Sequence, residues 1–349
     1  MGAQPAGHPT PHTVIAYIIR RLLGAIGLLF VISAVTFAIF FLLPRAAGMT
    51  TDQLAARFAG KAPDHATLVA IEQRFGFDKP VAEQYWRFVR QLVAGGTYDT
   101  GTRTLDCPAP CMGYSFRTNQ PVLQTVIDRA GVTFSIAVGG AVLWLLSGVA
   151  IGVLSALRKG TMFDRVSMGV ALAGVSLPVF FTAELSQAFL VHKWQLMPDV
   201  NYVNFVSNPL QWAQELILPW ITLAFLYAAL YARLTRAGML DTLNEDYIRT
   251  ARAKGLREKT VIIKHGLRAT LTPLLTVFGL DVGLLLGGAV LTEKAFGLKG
   301  LGMLALDGIG SSDLPVVVGV TLVGALFIVL ANLAVDILYA VVDPRVRLN

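Results

Sequence analysis

Asp246-Tyr247-Ile248-Arg249-Thr250-Ala251-Arg252-Ala253-Lys254-Gly255-Leu256 is a short basic stretch set between two long apolar runs. The runs extend from about Leu216 to Leu234 and from about Leu271 to Thr292. A helix needs about 20 mostly apolar residues to cross the roughly 30 Å hydrocarbon core of a bilayer. Four more such runs flank these two: about Leu22 to Leu43, Val132 to Leu157, Val166 to Val191 (interrupted by Pro178), and Pro315 to Val341. Composition agrees. The 349 residues are 54% hydrophobic and 15% charged, against about 25% charged in a soluble domain. Too little polar material is present to cover a water-facing surface. The chain therefore reads as an all-α integral membrane protein of about six transmembrane helices.

The first apolar run, with the segment 16–43 as helix 1, is too long for a signal peptide, whose apolar region has about 7–15 residues. It ends in Leu43-Pro44 without a small-residue cleavage site, so it reads as an uncleaved helix. Residues 1–15, rich in Gly, Pro, His and Thr, read as a disordered cytoplasmic N-terminus.

Orientation follows from the Lys and Arg of the short loops. Arg158, Lys159 and Arg165 lie between helices two and three, and the loop 241–270 carries Arg249, Arg252, Lys254, Arg257, Lys259, Lys264 and Arg268. The other short loops hold only His192 and Lys193, or Lys294 and Lys299. The rich loops face the cytoplasm, and both termini with them. The net charge of +7 is thus accounted for by topology, and its distribution argues against nucleic acid as a partner. The segment 44–131 is then external, and 132–349 forms the transmembrane core of helices 2–6 with the cytoplasmic loop 241–270. Within the external segment Val81, Tyr85, Phe88 and Leu92 recur at helical spacing, which predicts a helix in a small external subdomain or one lying on the lipid headgroups.

No phosphate-binding, zinc-protease or nucleophile-elbow motif is present, and the five histidines are scattered. No metal site or catalytic residue is expected, and no cofactor in this chain. Any ATP and Mg²⁺ would be bound by other subunits. Cys107 and Cys111 flank Pro108-Ala109-Pro110 in the external segment. A local disulfide is the leading expectation in an oxidising compartment, with free thiols or half of a metal site as alternatives.

The loop 241–270 reads as two short helices joined at Gly255, where glycine permits a positive-φ turn. Tyr247 and Ala251, four residues apart, share one helical face. Such a basic loop can lie against anionic headgroups or present a short helix to a groove on a cytoplasmic partner.

This loop resembles the E-A-A-x-x-x-G loop of binding-protein-dependent ABC importer permeases. Arg249 stands at the glutamate position, Thr250 and Ala251 at the two alanines, and Gly255 at the glycine, followed by Leu256. The Arg and Thr departures are similar to the dipeptide and oligopeptide branch, which also handles nickel complexes. Further segments resemble that branch: Tyr17 to Leu23, Ser176 to Phe180, Leu216 to Trp220, Gly288 to Phe296, and Asn332 to Arg345. The stretch from about Thr97 to Pro110 departs from it and looks like an insertion.

The resemblance implies a type I ABC importer permease fold with an external helical insertion between helices 1 and 2, and the role of first permease of a pair. The implied partners are a second homologous permease, two ATP-binding subunits and an extracytoplasmic substrate-binding protein. The implied cargo is a di- or oligopeptide, with nickel complexes or oligosaccharides as alternatives, moved by alternating access. Rivals from other classes are a membrane-embedded enzyme and a self-sufficient channel.

Asp281 lies within helix five, where an acidic group costs about 2.5–3.5 kcal/mol on insertion scales and so is not expected to face lipid. Gly279, Gly283 and Gly287 form a stripe that admits a neighbouring helix. Asp281 points away from it, towards the pathway or to a partner on another helix. Glu184 and Gln187 are further candidates for the pathway, and Asp336 reads as structural.

Overall fold

The computed structural model describes residues 11–59, 68–69, 71–72, 79–99, 104–115, 117–311 and 313–342. Its centre is a pair of helices, α5 (Val122–Leu157) and α8 (Pro209–Leu243), brought together by small residues. A Cβ added at Gly148 would lie 2.7 Å from the Tyr231 Cβ, and one at Gly152 would lie 2.6 Å from the Ala232 carbonyl. Gly140 faces Leu223, so residue numbers rise together along the contact and the two helices run parallel. In lipid no hydrophobic force drives helices together, so close van der Waals approach of this kind holds them. At 1.5 Å per residue α5 is roughly 54 Å long. Its first turns therefore project beyond the hydrocarbon, ahead of the apolar run that begins at about Val132.

The helix α11 (Arg268–Leu286) packs antiparallel to α14 (Leu314–Val342) through the glycine stripe. Gly279 meets Val335, Gly283 meets Ile328 and Ala331, and Gly287 meets Gly324. The fifth apolar run does not continue to Thr292: Gly287 and Gly288 (φ +135°) end the helix.

The third run is broken. Helix α6 (Met162–Ser176) stops at Leu177, held extended by the following Pro178, and α7 (Val179–Ser186) continues as a π-helical turn over Gln187–Lys193. The two halves are bent by 103°. Among the described residues four helices are long and apolar enough to cross a membrane, a fifth if the bent pair counts as one, and α1 carries a shorter apolar stretch, Leu23–Phe37.

Helix α1 (Pro11–Phe37) begins before residue 15, so residues 11–15 belong to a helix, and residues 1–10 lie outside the described residues. It continues through a π-helical segment, Ala38–Leu42, into α2 (Leu43–Ala46), with α3 (Thr51–Ala59) and α4 (Val81–Ala94) following. The apolar face of α4 is covered by protein. Val81, Tyr85 and Phe88 pack on Phe37, Phe41, Leu54 and Leu314, and the Tyr85 and Ser33 hydroxyls are 2.9 Å apart.

The fold is helical as expected, apart from two short hairpins. Strands β1 (Gly96–Asp99) and β2 (Thr104–Cys107) form an antiparallel hairpin, and β3 (Tyr114–Ser115) pairs with β4 (Gln120–Pro121). Gly95 (φ +76°) makes the turn from α4 into the first hairpin, where a Cβ would collide with the Cys107 carbonyl at 2.6 Å. Cys107 and Cys111 are joined by a disulfide and buried beside Tyr114. Ser115 hydrogen-bonds Asp313 at the start of α14.

Candidate functional site

The loop between α8 and α11 holds α9 (Asp246–Ala253), α10 (Glu258–Thr260) and a π-helical turn, Val261–Leu267. Helix α9 ends in a Schellman arrangement. The Leu256 N–H donates to the Ala251 carbonyl at 3.4 Å, and the Gly255 N–H to the Arg252 carbonyl at 2.9 Å. This geometry requires φ > 0 at Gly255, which is +77°. Arg252 bridges the turn, donating from Nη2 and Nε to the two Glu258 carboxylate oxygens at 2.8 and 3.2 Å. Because the pair is exposed, it orients the turn more than it stabilises it.

Ile248, Ala251 and Val261 are buried together, with the half-buried Leu243 packed against them. Tyr247 and Leu256 are exposed, at 46% and 42%, as are Arg249 and Thr250. The expectation that Tyr247 and Ala251 form one contact face is therefore corrected. Ala251 sits one turn from Ile248 on the inner side, and Tyr247 lies on the outer side with Arg249 and Thr250. Four residues span about 400° of helix, and the rotation of about 40° between them is enough to split the pair across the boundary.

The loop is tied to the helices that carry it. The Thr242 and Thr270 hydroxyls approach to 3.5 Å, and a Cβ at Gly238 would lie 2.8 Å from the Thr270 methyl group. Arg236 on α8 pairs with Asp164 at the start of α6. Asp164 escaped notice in the sequence, although Thr161-Met162-Phe163-Asp164 is the helix-start signature S/T-x-x-D/E.

The comparisons with known proteins bear on this arrangement. Residues 148–348 match the family described as "Binding-protein-dependent transport system inner membrane component", and residues 14–137 match "Binding-prot-dependent transport system membrane comp, N-term". The chain belongs to this family of importer permeases. Among its relatives is "Glutathione transport system permease protein GsiC" of Pectobacterium atrosepticum, 36% identical over 331 residues, which are 95% of this chain and 98% of the relative. The protein of the same name from Escherichia coli K12 is 35% identical over 332 residues, again 95% and 98%. A chain of the solved structure "Inward facing conformations of the MetNI methionine ABC transporter: CY5 native crystal form" covers 63% of this chain at 17% identity with a TM-score of 0.46. That likeness is too distant to bear on the mechanism.

The permease interior separates the three residues expected to line a pathway. Asp281 is half-buried, and its Oδ2 accepts a 2.8 Å hydrogen bond from the Tyr231 hydroxyl on α8. Tyr231 belongs to an aromatic group with Trp144, Tyr227 and Phe278. Asp281 does point away from the glycine stripe, and it has a partner on another helix. Gln187 donates from Nε2 to the Ala295 carbonyl at 2.7 Å. Glu184 is exposed on α7. The Asp336 side chain lies outside the described residues.

Within the stretch Gly288 to Phe296 lies Glu293, which carries no signal of its own in the sequence. It lies on α12 (Val290–Ala295), in the connector before α13 (Leu301–Ser311), and is fully buried. Its Oε1 accepts from the Thr133 hydroxyl of α5 at 2.6 Å, and its Oε2 from the Met303 N–H at 2.8 Å. The same Thr133 oxygen accepts from the Leu301 N–H at 2.8 Å. The carboxylate and the hydroxyl thus satisfy the free N–H groups at the start of α13 and bind the connector to α5. Gly300 has no side chain because a Cβ there would lie 2.3 Å from the Glu293 carboxylate. Burial pushes the Glu293 carboxyl above the usual range. Among the described residues no group of three His, Cys, Asp or Glu could hold a metal ion.

Proposed function

We propose that this permease forms half of the translocation pathway of an ATP-driven importer of short peptides. It would pair with a second, homologous permease, stand on two ATP-binding subunits and receive cargo from an external binding protein. The observation that carries this reading is the construction of the loop around α9. A short helix is anchored on one side by Ile248, Ala251 and Val261 and leaves Tyr247, Arg249, Thr250 and Leu256 outward. The loop joins α8 to α11, so a displacement of α9 acts on both helices at once.

The anchored side makes α9 move as one piece with the ends of α8 and α11. The outward side is the part an ATP-binding subunit would grip. Closure of two such subunits around ATP and Mg²⁺ would shift α9 and tilt the helices between inward-open and outward-open states. The shift works only if the partners bind the two states with different affinity. The loop 241–270 is then cytoplasmic and the segment 44–131 external. The glutathione named for the relatives supports a peptide as cargo.

The test is reconstitution in liposomes with the partner subunits. ATP-dependent uptake of a labelled tripeptide is expected from the whole assembly, and none from this chain alone. Uptake by the isolated chain without ATP would favour a channel and sink the proposal. The orientation is tested in intact cells with Glu258→Cys, whose reaction with an impermeant reagent would overturn it.

A further inference from the structure

The first turns of α5, residues 200–202 and the turn 297–299 line an open cleft of about 510 Å³, in which Asp128 and Lys299 are exposed. Small-molecule pockets fall between about 300 and 1,000 Å³. Thr125, Asp128 and Arg129 form one wall, Asn201 and Tyr202 a second, and Lys299 stands on the third. This cleft opens on the side where the external segment enters α5, at the opposite end of α5 from the loop 241–270.

The charges of this cleft are not spent on each other. Asp128 accepts a 2.9 Å hydrogen bond from the Gln124 amide, and Arg129 donates from Nη1 to the Lys299 carbonyl at 3.2 Å. Among the described residues no ion pair joins Asp128 to Arg129 or Lys299. The Arg129 contact draws its guanidinium to the turn that carries Lys299, so two cations share one side while a carboxylate stands one residue along α5. The wall bearing Lys299 is also held in place. The Leu298 N–H donates to the Glu293 carbonyl at 2.8 Å, and Glu293 and Thr133 bind the start of α13 just behind it. A wall fixed before the ligand arrives loses little freedom on binding.

We infer that this cleft is an entry site for the cargo and that it selects a small zwitterion, a peptide with both ends free. The peptide ammonium group meets Asp128. Its carboxylate meets Arg129, which presents a planar fork to carboxylate oxygens, and Lys299. A neutral oligosaccharide would leave all three charges unpaired. This inference rests on the reading of the chain as an importer permease and names the cargo that the pathway admits.

Thr125→Cys is the probe. The two native cysteines are joined, so the introduced thiol is the one that reacts. Maleimide labelling is followed in the complete importer in liposomes, with the binding protein present, with and without saturating tripeptide. Free tripeptide is expected to slow labelling about tenfold, the equivalent of about 1.4 kcal/mol of occupancy. The same tripeptide N-acetylated and C-amidated should not slow it. Adding Asp128→Asn or Lys299→Gln should abolish the protection at unchanged permease abundance, and Lys299→Arg should retain it. Labelling unaffected by tripeptide in vesicles that accumulate the same peptide overturns the entry site while leaving the importer reading intact. Equal protection by the doubly blocked peptide overturns the charge assignment. Vesicles that accumulate no tripeptide at all overturn the importer reading, and the site with it.

Discussion

Arg236 holds Asp164 with two parallel hydrogen bonds, Nε to Oδ1 at 2.6 Å and Nη2 to Oδ2 at 2.8 Å. The Gly160 N–H donates to the same Oδ2 at 2.9 Å. One carboxylate therefore fixes the turn after α5, the start of α6 and the end of α8. These are the ends nearest the loop 241–270.

A fork-to-carboxylate pair depends on geometry as much as on charge. Asp164→Asn and Arg236→Lys should each lower the thermal unfolding midpoint of the permease in detergent. Residues in one hydrogen-bond network do not add, so the double variant should lose clearly less than the sum of the two. A strictly additive double variant would show that the pair is not a unit.

Glu293 gives a second stability prediction, with a pH signature. Its carboxylate accepts on both sides, from Thr133 and from Met303. In Glu293→Gln one of those donors meets the amide NH₂ instead, and a buried donor left unpaired costs about 1–3 kcal/mol. Burial raises the carboxyl of the folded protein above its unfolded value. The folded state then binds the proton more tightly, so this group's contribution is fully present below the ordinary carboxylate range and is lost as pH rises towards the raised value. The stability advantage of wild type over Glu293→Gln should therefore shrink across that window. Unfolding midpoints taken at stepped pH would show it, and a difference that grows with pH would contradict it.

Much of this architecture is legible in the residues, for reasons that differ by element. The apolar runs are visible because lipid demands length and hydrophobicity together. Gly255 is visible because its turn needs a conformation only glycine adopts cheaply. Pro178 marks a break, but the angle of that break depends on neighbouring helices. The early start of α5 is hidden because Gln124, Thr125, Asp128 and Arg129 carry no apolar signal. Glu293 is hidden for the opposite reason. A glutamate in a short connector reads as solvent-facing, and only tertiary partners make its burial tolerable. Tyr247 and Ala251 divide because helical spacing alone does not say where the protein surface cuts across a helix.

Asp281 and Tyr231 offer a way to separate a structural role from a transport role. Tyr231 is fully buried, and its hydroxyl donates to Asp281. Tyr231→Phe removes the donor and leaves the half-buried carboxyl oxygen without it, which should cost about 1–3 kcal/mol. Asp281→Asn keeps an acceptor facing Tyr231 and should cost less. If both variants, once inserted, import tripeptide at the wild-type rate, Asp281 serves packing alone. A loss of uptake in Asp281→Asn with little loss of stability would place it on the pathway.

The loop 241–270 provides the most direct test of the proposed coupling, at Gly255. The residue adopts φ +77°, and a Cβ added there would meet no atom within 4 Å. A substitution therefore introduces no clash, and its whole effect comes from the backbone. A β-branched residue forced into that conformation costs about 1–3 kcal/mol. Asparagine, which tolerates left-handed backbone, costs less. The cost falls on the Schellman turn that sets Leu256 and the Arg252–Glu258 bridge relative to α9, and not on the packing of α5 with α8. A strain of this size is small for a whole helical bundle but comparable to a coupling free energy, which is typically about 1–3 kcal/mol. Gly255→Val should insert and pair with the second permease in normal amounts, yet lose uptake together with docking or stimulation of the ATP-binding subunits. Gly255→Asn should retain much of both. Quantifying assembly by co-purification beside uptake in liposomes separates the two effects. Wild-type uptake by the Gly255→Val assembly would show that force reaches the helices by another route.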